Sequence, residues 1–220
     1  DGFENDNKNL LSDIGHQTMV GGGRILVQAT DTFADAPFWA ASTDGFESFP
    51  AWDGLGELPV FGVFMGQLND RVIFLGFTES DGYEPWVSDG TQAGTVQLGD
   101  FSPGNVHSLS GPGLVLGDKL YFAMTISGLG YELWESDGTA AGTQLVIELE
   151  PGPGGAYPQE FARIGDKLLF SAATTAFGRE FYVSDGTAAG TTLLKDIYPG
   201  ATGSEPRVLE PYLEPRCWST

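Results

Sequence analysis

The sequence predicts an all-β protein built from about four four-stranded antiparallel sheets. Three observations lead to this prediction: a unit of about 48 residues recurs along the chain, two landmarks keep the same period, and turn residues separate short apolar runs. The chain holds 32 glycines and 13 prolines in 220 residues, far more than long helices tolerate. We therefore expect strands joined by tight turns and little helix.

The first landmark is the pattern Ser-Asp-Gly-Thr-x-Ala-Gly-Thr. It stands at 88–95, 136–143 and 184–191, so that successive copies are 48 residues apart, and a degenerate copy precedes them at 42–45. The second landmark is a basic residue followed by an apolar run, and its basic residues are Arg24, Arg71, Lys119 and Lys167. Two independent landmarks in phase establish a tandem repeat.

Each unit is predicted to contain four strands. In the third unit they fall at about 107–116, 119–125, 131–136 and 142–149, with a two-residue turn at Gly117-Asp118. Short connections between all neighbouring strands require an antiparallel meander.

The second strand of each unit is apolar on both faces, as residues 120–124 illustrate, so sheets must cover each other face to face. Stacked four-stranded units of this length are typical of β-propeller blades, and a solenoid is the competing architecture. We treat 1–220 as a single β-propeller-like domain. Its repeats lie at approximately 16–64, 65–100, 101–149 and 150–197, and 198–220 form a C-terminal extra strand or cap.

Two segments are left over by this count. Residues 10–14 resemble a fourth strand, and 206–213 occupy the first-strand position of a fifth unit. They have three interpretations: they close a ring, cap the array or pair with another molecule.

The segment 130–143, which reads Gly-Tyr-Glu-Leu-Trp-Glu-Ser-Asp-Gly-Thr-Ala-Ala-Gly-Thr, resembles the bacterial repeat family with the Glu-Leu-Trp-x-x-Asp-Gly-Thr (ELWxxDGT) motif. The resemblance covers roughly residues 22–206. It implies a non-catalytic module of large secreted or cell-surface proteins. The first unit departs from the pattern at 36–45, the second has Pro85 in place of leucine, and the fourth has Phe181-Tyr182 in place of Leu-Trp.

The charge balance excludes some functions. The chain has 30 acidic and 10 basic residues and a formal net charge of -20, so phosphate backbones and anionic lipid are repelled. Nucleic-acid binding and docking to a membrane surface are therefore not expected. Membrane insertion is not expected either, because no apolar stretch approaches the roughly 18 residues needed to span a bilayer. Calcium is a plausible partner, and the simpler interpretation is that acidity keeps an extracellular protein soluble.

Cys217 is the only cysteine, so no disulfide can form within the chain. A free thiol near the terminus and an interchain disulfide are its two interpretations. The chain begins at Asp1 without an apolar leader, and we expect either the mature form of a secreted protein or an excerpt.

No arrangement of residues in the sequence points to catalysis, so the sequence predicts a protein that is not an enzyme. His16 and His107 share no motif, and zinc-ligand, nucleophile-elbow and phosphate-loop patterns are missing from the sequence.

Paired acids recur once per unit and form a candidate metal site. They are Glu84 with Asp89, Glu132 with Asp137, and Glu180 with Asp185. Carboxylate oxygens suit calcium, which is the functional hypothesis. In the structural interpretation, which we favour, each Glu binds turn amides or the basic residue of the second landmark, and each Asp caps its own turn.

Large aromatic residues also recur once per unit, at Trp39, Trp86, Trp134 and Tyr182. Stacking on sugar rings would make them ligand-binding residues, whereas core packing between sheets is the favoured alternative. The resulting functional prediction is an extracellular structural or adhesive repeat module that contacts protein or glycan, alone or within a larger assembly. The alternative is a carbohydrate- or small-ligand-binding module assisted by calcium.

Overall fold

The structure is a computed structural model. It describes residues 18–21, 24–27, 39–42, 45–50, 60–91, 93–104 and 108–208, with side chains from residue 63 onward except at 109–110. These residues form 17 strands and no helix. Accordingly, the described part of the chain has no helix of the length and hydropathy needed to cross a bilayer.

The strands form four antiparallel sheets in chain order. Sheet 1 contains β1 (Thr18–Gly21), β2 (Arg24–Val27), β3 (Trp39–Ser42) and β4 (Gly45–Pro50). Sheet 2 contains β5 (Val60–Leu68), β6 (Arg71–Thr78), β7 (Gly82–Ser88) and β8 (Val96–Gln97). Sheet 3 contains β9 (Leu109–Ser110), β10 (Leu114–Leu116), β11 (Lys119–Ile126), β12 (Gly130–Ser136) and β13 (Gln144–Ile147). Sheet 4 contains β14 (Gln159–Ile164), β15 (Lys167–Thr174), β16 (Gly178–Ser184) and β17 (Thr192–Leu193).

The predicted all-β antiparallel meander is confirmed, because consecutive strands pair within each sheet, apart from β9, which pairs with β11. The first strand of the third unit differs from the prediction. Instead of one strand over 107–116, β9 and β10 are separated by Gly111-Pro112-Gly113, and both pair with β11. Proline has no amide hydrogen to donate to a ladder, so the strand is interrupted there. In the second unit β5 crosses the approximate boundary at 64–65.

The register is the same in all four sheets. The second and third strands place an apolar residue opposite an aromatic one, and the pairs are Val27 with Trp39, Phe74 with Trp86, Phe122 with Trp134, and Phe170 with Tyr182. The tight turn at Gly117 has φ +65°, a conformation that glycine adopts without strain. Turn chemistry of this kind fixes the register of each hairpin.

Apolar cores lie between consecutive sheets. One core joins Leu75 and Val87 of sheet 2 to Leu120 and Phe122 of sheet 3. A second core joins Leu133 of sheet 3 to residues of sheet 4, among them Leu168, Phe170 and Tyr182. Strand contacts likewise link sheets 1 and 2 through β1, β5 and β6. The described sheets therefore form an open series in which each sheet packs on the next.

Candidate functional site

The repeated glutamate of the third strand is buried in every unit that the structure describes with side chains. Glu132 has no exposed surface, and its carboxylate accepts hydrogen bonds from the amides of Leu149 (2.9 Å), Glu150 (3.1 Å) and Ala156 (3.2 Å). These amides belong to the linker that leaves β13 and leads to sheet 4. The carboxylate therefore fastens that linker to β12.

The same bonds recur in the other two units. Glu84 accepts from the amides of Phe101 (3.2 Å) and Ser102 (3.0 Å) and from the Ser108 hydroxyl (3.0 Å). Glu180 accepts from the Tyr198 amide (3.1 Å) and the Ser204 hydroxyl (2.5 Å). We name each such glutamate, with the linker atoms bound to it, a glutamate brace.

The glycine-rich linkers reach the third strand by backbone contact. Gly155 forms a parallel bridge with Tyr131, and the amide of Ala156 donates to the Tyr131 carbonyl at 2.8 Å. A Cβ at Gly155 would collide with the backbone of Tyr131, so only glycine allows this approach. Gly203 makes the equivalent bridge to Arg179 in the fourth unit.

The glutamates of the three braces differ in the direction of their pKa shifts. Burial raises the pKa of Glu84 to about 7, although Phe101, Ser108 and Ser102 donate to its carboxylate. Burial also raises the pKa of Glu132. At Glu180 burial is again the largest effect, but the donors from Ser204, Tyr198 and Ile197 together outweigh it and lower the pKa. A carboxylate that is buried favours its neutral form, whereas donors favour the charged form.

The repeated aspartate organises the turn after the third strand. The Oδ1 atom of Asp137 accepts from the Thr139 amide (2.9 Å) and hydroxyl (2.6 Å), and that hydroxyl accepts from the Gly142 amide (3.0 Å). The Thr139 bonds hold the pKa of Asp137 below its ordinary value. A Cβ at Gly142 would collide with the Asp137 carboxylate, which explains that glycine of the motif.

Serine and the second threonine of the motif complete the turn. The Ser136 and Thr143 hydroxyls hydrogen-bond to each other at 2.8 Å, and the Ser136 hydroxyl accepts from the Gly138 amide at 3.0 Å. Equivalent bonds surround Asp89 and Asp185, where Thr91 and Thr187 likewise lower the aspartate pKa. Each polar residue of the repeated motif thus has a bonding role inside the turn.

The repeated glutamates and aspartates, which the sequence suggested as a calcium site, are occupied by these hydrogen bonds. The glutamates bind turn amides, which is one of the two partners that the structural interpretation named, and the aspartates cap their own turns. Among the residues that the structure describes, no group of three or more His, Cys, Asp or Glu side chains is arranged to hold a metal ion.

Two of the recurring aromatic residues, Trp134 and Tyr182, lie in the cores between consecutive sheets. Trp86, Trp134 and Tyr182 are buried, and the ring of Phe101 meets Trp134 edge-on with centroids 5.3 Å apart. The indole nitrogens of Trp86 and Trp134 are buried without an acceptor in the described part of the chain. The rings therefore contribute mainly apolar packing. The side chain of Trp39 lies outside the described residues, as does Cys217.

A groove between sheets 3 and 4 was missed by sequence reasoning. Its volume is about 610 Å³, and its walls include Tyr131, Tyr157, Gln159, Glu160 and Phe161. The rings of Tyr131 and Tyr157 stack with centroids 4.9 Å apart and an interplanar angle of 30°.

The repeat gives no sequence signal for this groove. Tyr157 has φ +49° and Glu160 has φ +56°, unusual values for side-chain-bearing residues. The positions one repeat before and after Tyr157 are Leu109 and Glu205, and Glu205 also has φ +49°, so neither residue type nor backbone conformation singles out Tyr157 within the repeat.

Comparisons with known proteins give little beyond the fold. No family model matches the chain, and no curated protein sequence matches it. Solved structures similar to it include an acylaminoacyl peptidase of Pyrococcus horikoshii, in an orthorhombic crystal form, with 16% sequence identity and a TM-score of 0.51. That alignment covers 82% of this chain and 27% of the peptidase chain. At this identity the likeness concerns the fold alone.

Proposed function

We propose that this chain is a non-catalytic structural or adhesive repeat module that works outside the cell, at or near the cell surface. Its sheets are arranged as propeller-like blades, and its loops and edges contact protein or glycan partners. The resemblance to the ELWxxDGT repeat supports this role. The observation that carries the proposal is the glutamate brace, which recurs at Glu84, Glu132 and Glu180.

The braces support a structural role because they use the repeated carboxylates to build the array. Each brace ties a linker to the third strand of the preceding sheet, so that consecutive sheets keep a fixed relation. A buried carboxylate with its donors satisfied is stable in place, and its loss would leave those donors unpaired. Such a scaffold is suited to presenting its surface rigidly.

The propeller-like arrangement is supported by the face-to-face cores between consecutive sheets. Each unit buries its apolar second strand only by stacking on a neighbour, as radial and linear repeat arrays do. Four-stranded meanders of this length favour blades over solenoid coils.

The linkers are the proposed contact surface. Pro151, Pro153 and Gly154 are exposed, and their linker docks at the start of β12, whereas the Asp-Gly-Thr turn lies at its other end. Loops held on a rigid scaffold commonly carry binding. With a net charge of -20, the partner is expected to be neutral or basic.

An adhesion assay tests this proposal. Beads coated with the protein are passed over surfaces bearing bacterial envelope, glycans or proteins, and attachment under flow is counted. Gly154→Lys, where a side chain meets open space, should reduce attachment, whereas the matched change Ala140→Lys in the exposed turn at the opposite end of β12 should not. Attachment to none of these surfaces, or equal loss in both variants, would contradict the proposal.

A carbohydrate- or small-ligand-binding module is the second candidate, and the groove between sheets 3 and 4 favours it. Stacked tyrosines offer an apolar platform, and Gln159 and Glu160 offer polar groups for sugar hydroxyls. The acidic surface favours neutral sugars over anionic ones. Calorimetric titration with neutral oligosaccharides, with and without calcium, should show binding that Tyr157→Ala abolishes; no heat with any sugar would remove this candidate.

A further inference from the structure

Sheet 4 exposes apolar side chains on the face that points away from sheet 3. We name this the terminal face and define it by Ile164 (51% exposed), Leu194 (53%), Ile197 (54%) and Tyr198 (59%). These residues account for four of the seven large hydrophobic side chains that are exposed in the described part of the chain. Several large apolar side chains exposed on one sheet indicate an interaction site.

The same positions are covered in the preceding sheets. Leu98, two repeats before Leu194, is only 2% exposed and belongs to the core shared with Leu120 and Phe122 of sheet 3. Phe101, two repeats before Ile197, packs its ring on Trp134 of the next sheet.

The third unit repeats this pattern. Val146, Leu149 and Leu116 stand one repeat before Leu194, Ile197 and Ile164, and all three pack against the core that contains Phe170 and Tyr182 of sheet 4.

A polar contact also recurs at this interface. The Ser102 hydroxyl accepts from the Ser127 amide of the next sheet at 3.2 Å, and the Glu150 carboxylate accepts from the Thr175 amide at 2.9 Å. Tyr198 holds the equivalent position in the fourth unit, and its hydroxyl is suited to the same bond. Sheet 4 thus carries the apolar and polar parts of an interface that the chain already builds at its internal sheet boundaries.

The partner sheet must offer the positions that sheets 3 and 4 offer internally. Those sheets pair Phe122 with Trp134 and Phe170 with Tyr182. In sheet 1 the backbone register pairs Val27 with Trp39 in the same way. Sheet 2 shares this register but already packs on sheets 1 and 3, whereas sheet 1 contacts β5 and β6 of sheet 2 in the described chain. Sheet 1 is therefore the sheet that is left to match the terminal face.

We propose that the terminal face binds sheet 1 of a second copy of this chain, in a head-to-tail contact that continues the internal stacking. Such a contact uses two different surfaces, so that it closes into a ring if the rotation between copies allows and otherwise extends as an open array. The proposal rests on the structural role proposed above, because it makes the module a subunit of a larger assembly.

Sedimentation equilibrium over a series of protein concentrations tests this contact, with a reductant present so that Cys217 cannot link copies. The wild-type mass should rise from the 23.4 kDa of one copy to that of two or more. Ile197→Lys and Leu194→Lys should each weaken association about tenfold or more, because each places a charge in the contact. The matched control is Val96→Lys, since Val96 is 48% exposed but lies in β8, outside the terminal face.

A wild-type chain that stays at the mass of one copy at all concentrations would overturn the proposal, as would equal weakening by Val96→Lys. Circular dichroism of each variant verifies that its sheets have formed. The measurement contains no glycan, envelope or other partner, so its failure leaves the adhesion result unaffected. Conversely, self-association without adhesion would support the contact and count against the adhesive part of the proposed function.

Discussion

Removal of the Glu132 carboxylate should strongly destabilise the chain. Glu132→Ala leaves the part-buried amides of Leu149 and Glu150 without their acceptor, while the buried Ala156 amide keeps the Tyr131 carbonyl. An unsatisfied buried donor costs about 1–3 kcal/mol, and partial entry of water reduces the sum for these two amides, so we expect a loss of about 2–3 kcal/mol in the free energy of unfolding.

The amide variant should fall between wild type and alanine. Glu132→Gln keeps an oxygen for the Glu150 and Ala156 amides, which both bind Oε1, and places an NH2 group against the Leu149 amide. A loss of about 1–2 kcal/mol is expected. The matched control is Asp166→Asn, an exposed carboxylate in the β14–β15 turn, for which the change should stay within about 0.5 kcal/mol.

Urea unfolding followed by circular dichroism and by fluorescence provides the measurement. Coincidence of the two transitions is required, because cooperativity in repeat arrays is not assured. A loss below about 1 kcal/mol for Glu132→Ala would refute the view that this carboxylate fastens the linker.

Three further predictions follow from the braces and the turns. Because burial raises the Glu84 pKa from 4.5 to about 7, the folded state holds its proton more tightly than the unfolded state. The corresponding contribution to the free energy of unfolding is fully present below pH 4.5 and is lost as the pH rises to about 7; the loss is at most about 3 kcal/mol. Glu84→Gln should remove this pH-dependent contribution. Urea titrations at several pH values provide the measurement. Gly142→Ala should lower the free energy of unfolding by about 2 kcal/mol, because the new Cβ meets the Asp137 carboxylate, whereas the Cβ of the control Gly154→Ala meets open space. The loss should be smaller in an Asp137→Ala background. Equal effects of Gly142→Ala and Gly154→Ala would contradict the turn geometry. Addition of calcium or a chelator should leave the melting temperature unchanged, since the repeated glutamates already bind amides, and a rise of several degrees with calcium would show that the metal hypothesis was the better one.

Local chemistry explains how much of the fold the sequence could predict. The Asp-Gly-Thr turn and the hairpin at Gly117-Asp118 depend on residues only a few positions apart, so their roles followed from turn propensities. The second strand revealed its burial through its apolar run. The sequence did not indicate the break between β9 and β10, although Pro112 is its physical cause.

Contacts between distant residues could not be predicted in the same way. The sequence offered Glu132 two partners, turn amides or a basic residue, and only the approach of the linker to β12 decides between them. The groove likewise depends on Tyr157 stacking on Tyr131 from the following linker. Its recognition required the backbone path of that linker, which includes the positive φ at Tyr157.

Hydrogen exchange at the braced amides tests the central claim most directly. The amides of Ser102, Glu150 and Tyr198 lie in linkers outside the strands, yet each donates to a repeated glutamate. We predict that all three exchange slowly in native protein, at rates comparable to amides in the centres of β6, β11 and β15, because opening them requires release of the brace. Exchange as fast as at the exposed Gly154 amide would contradict the account, since it would mean that the repeated carboxylates do not hold the sheets together.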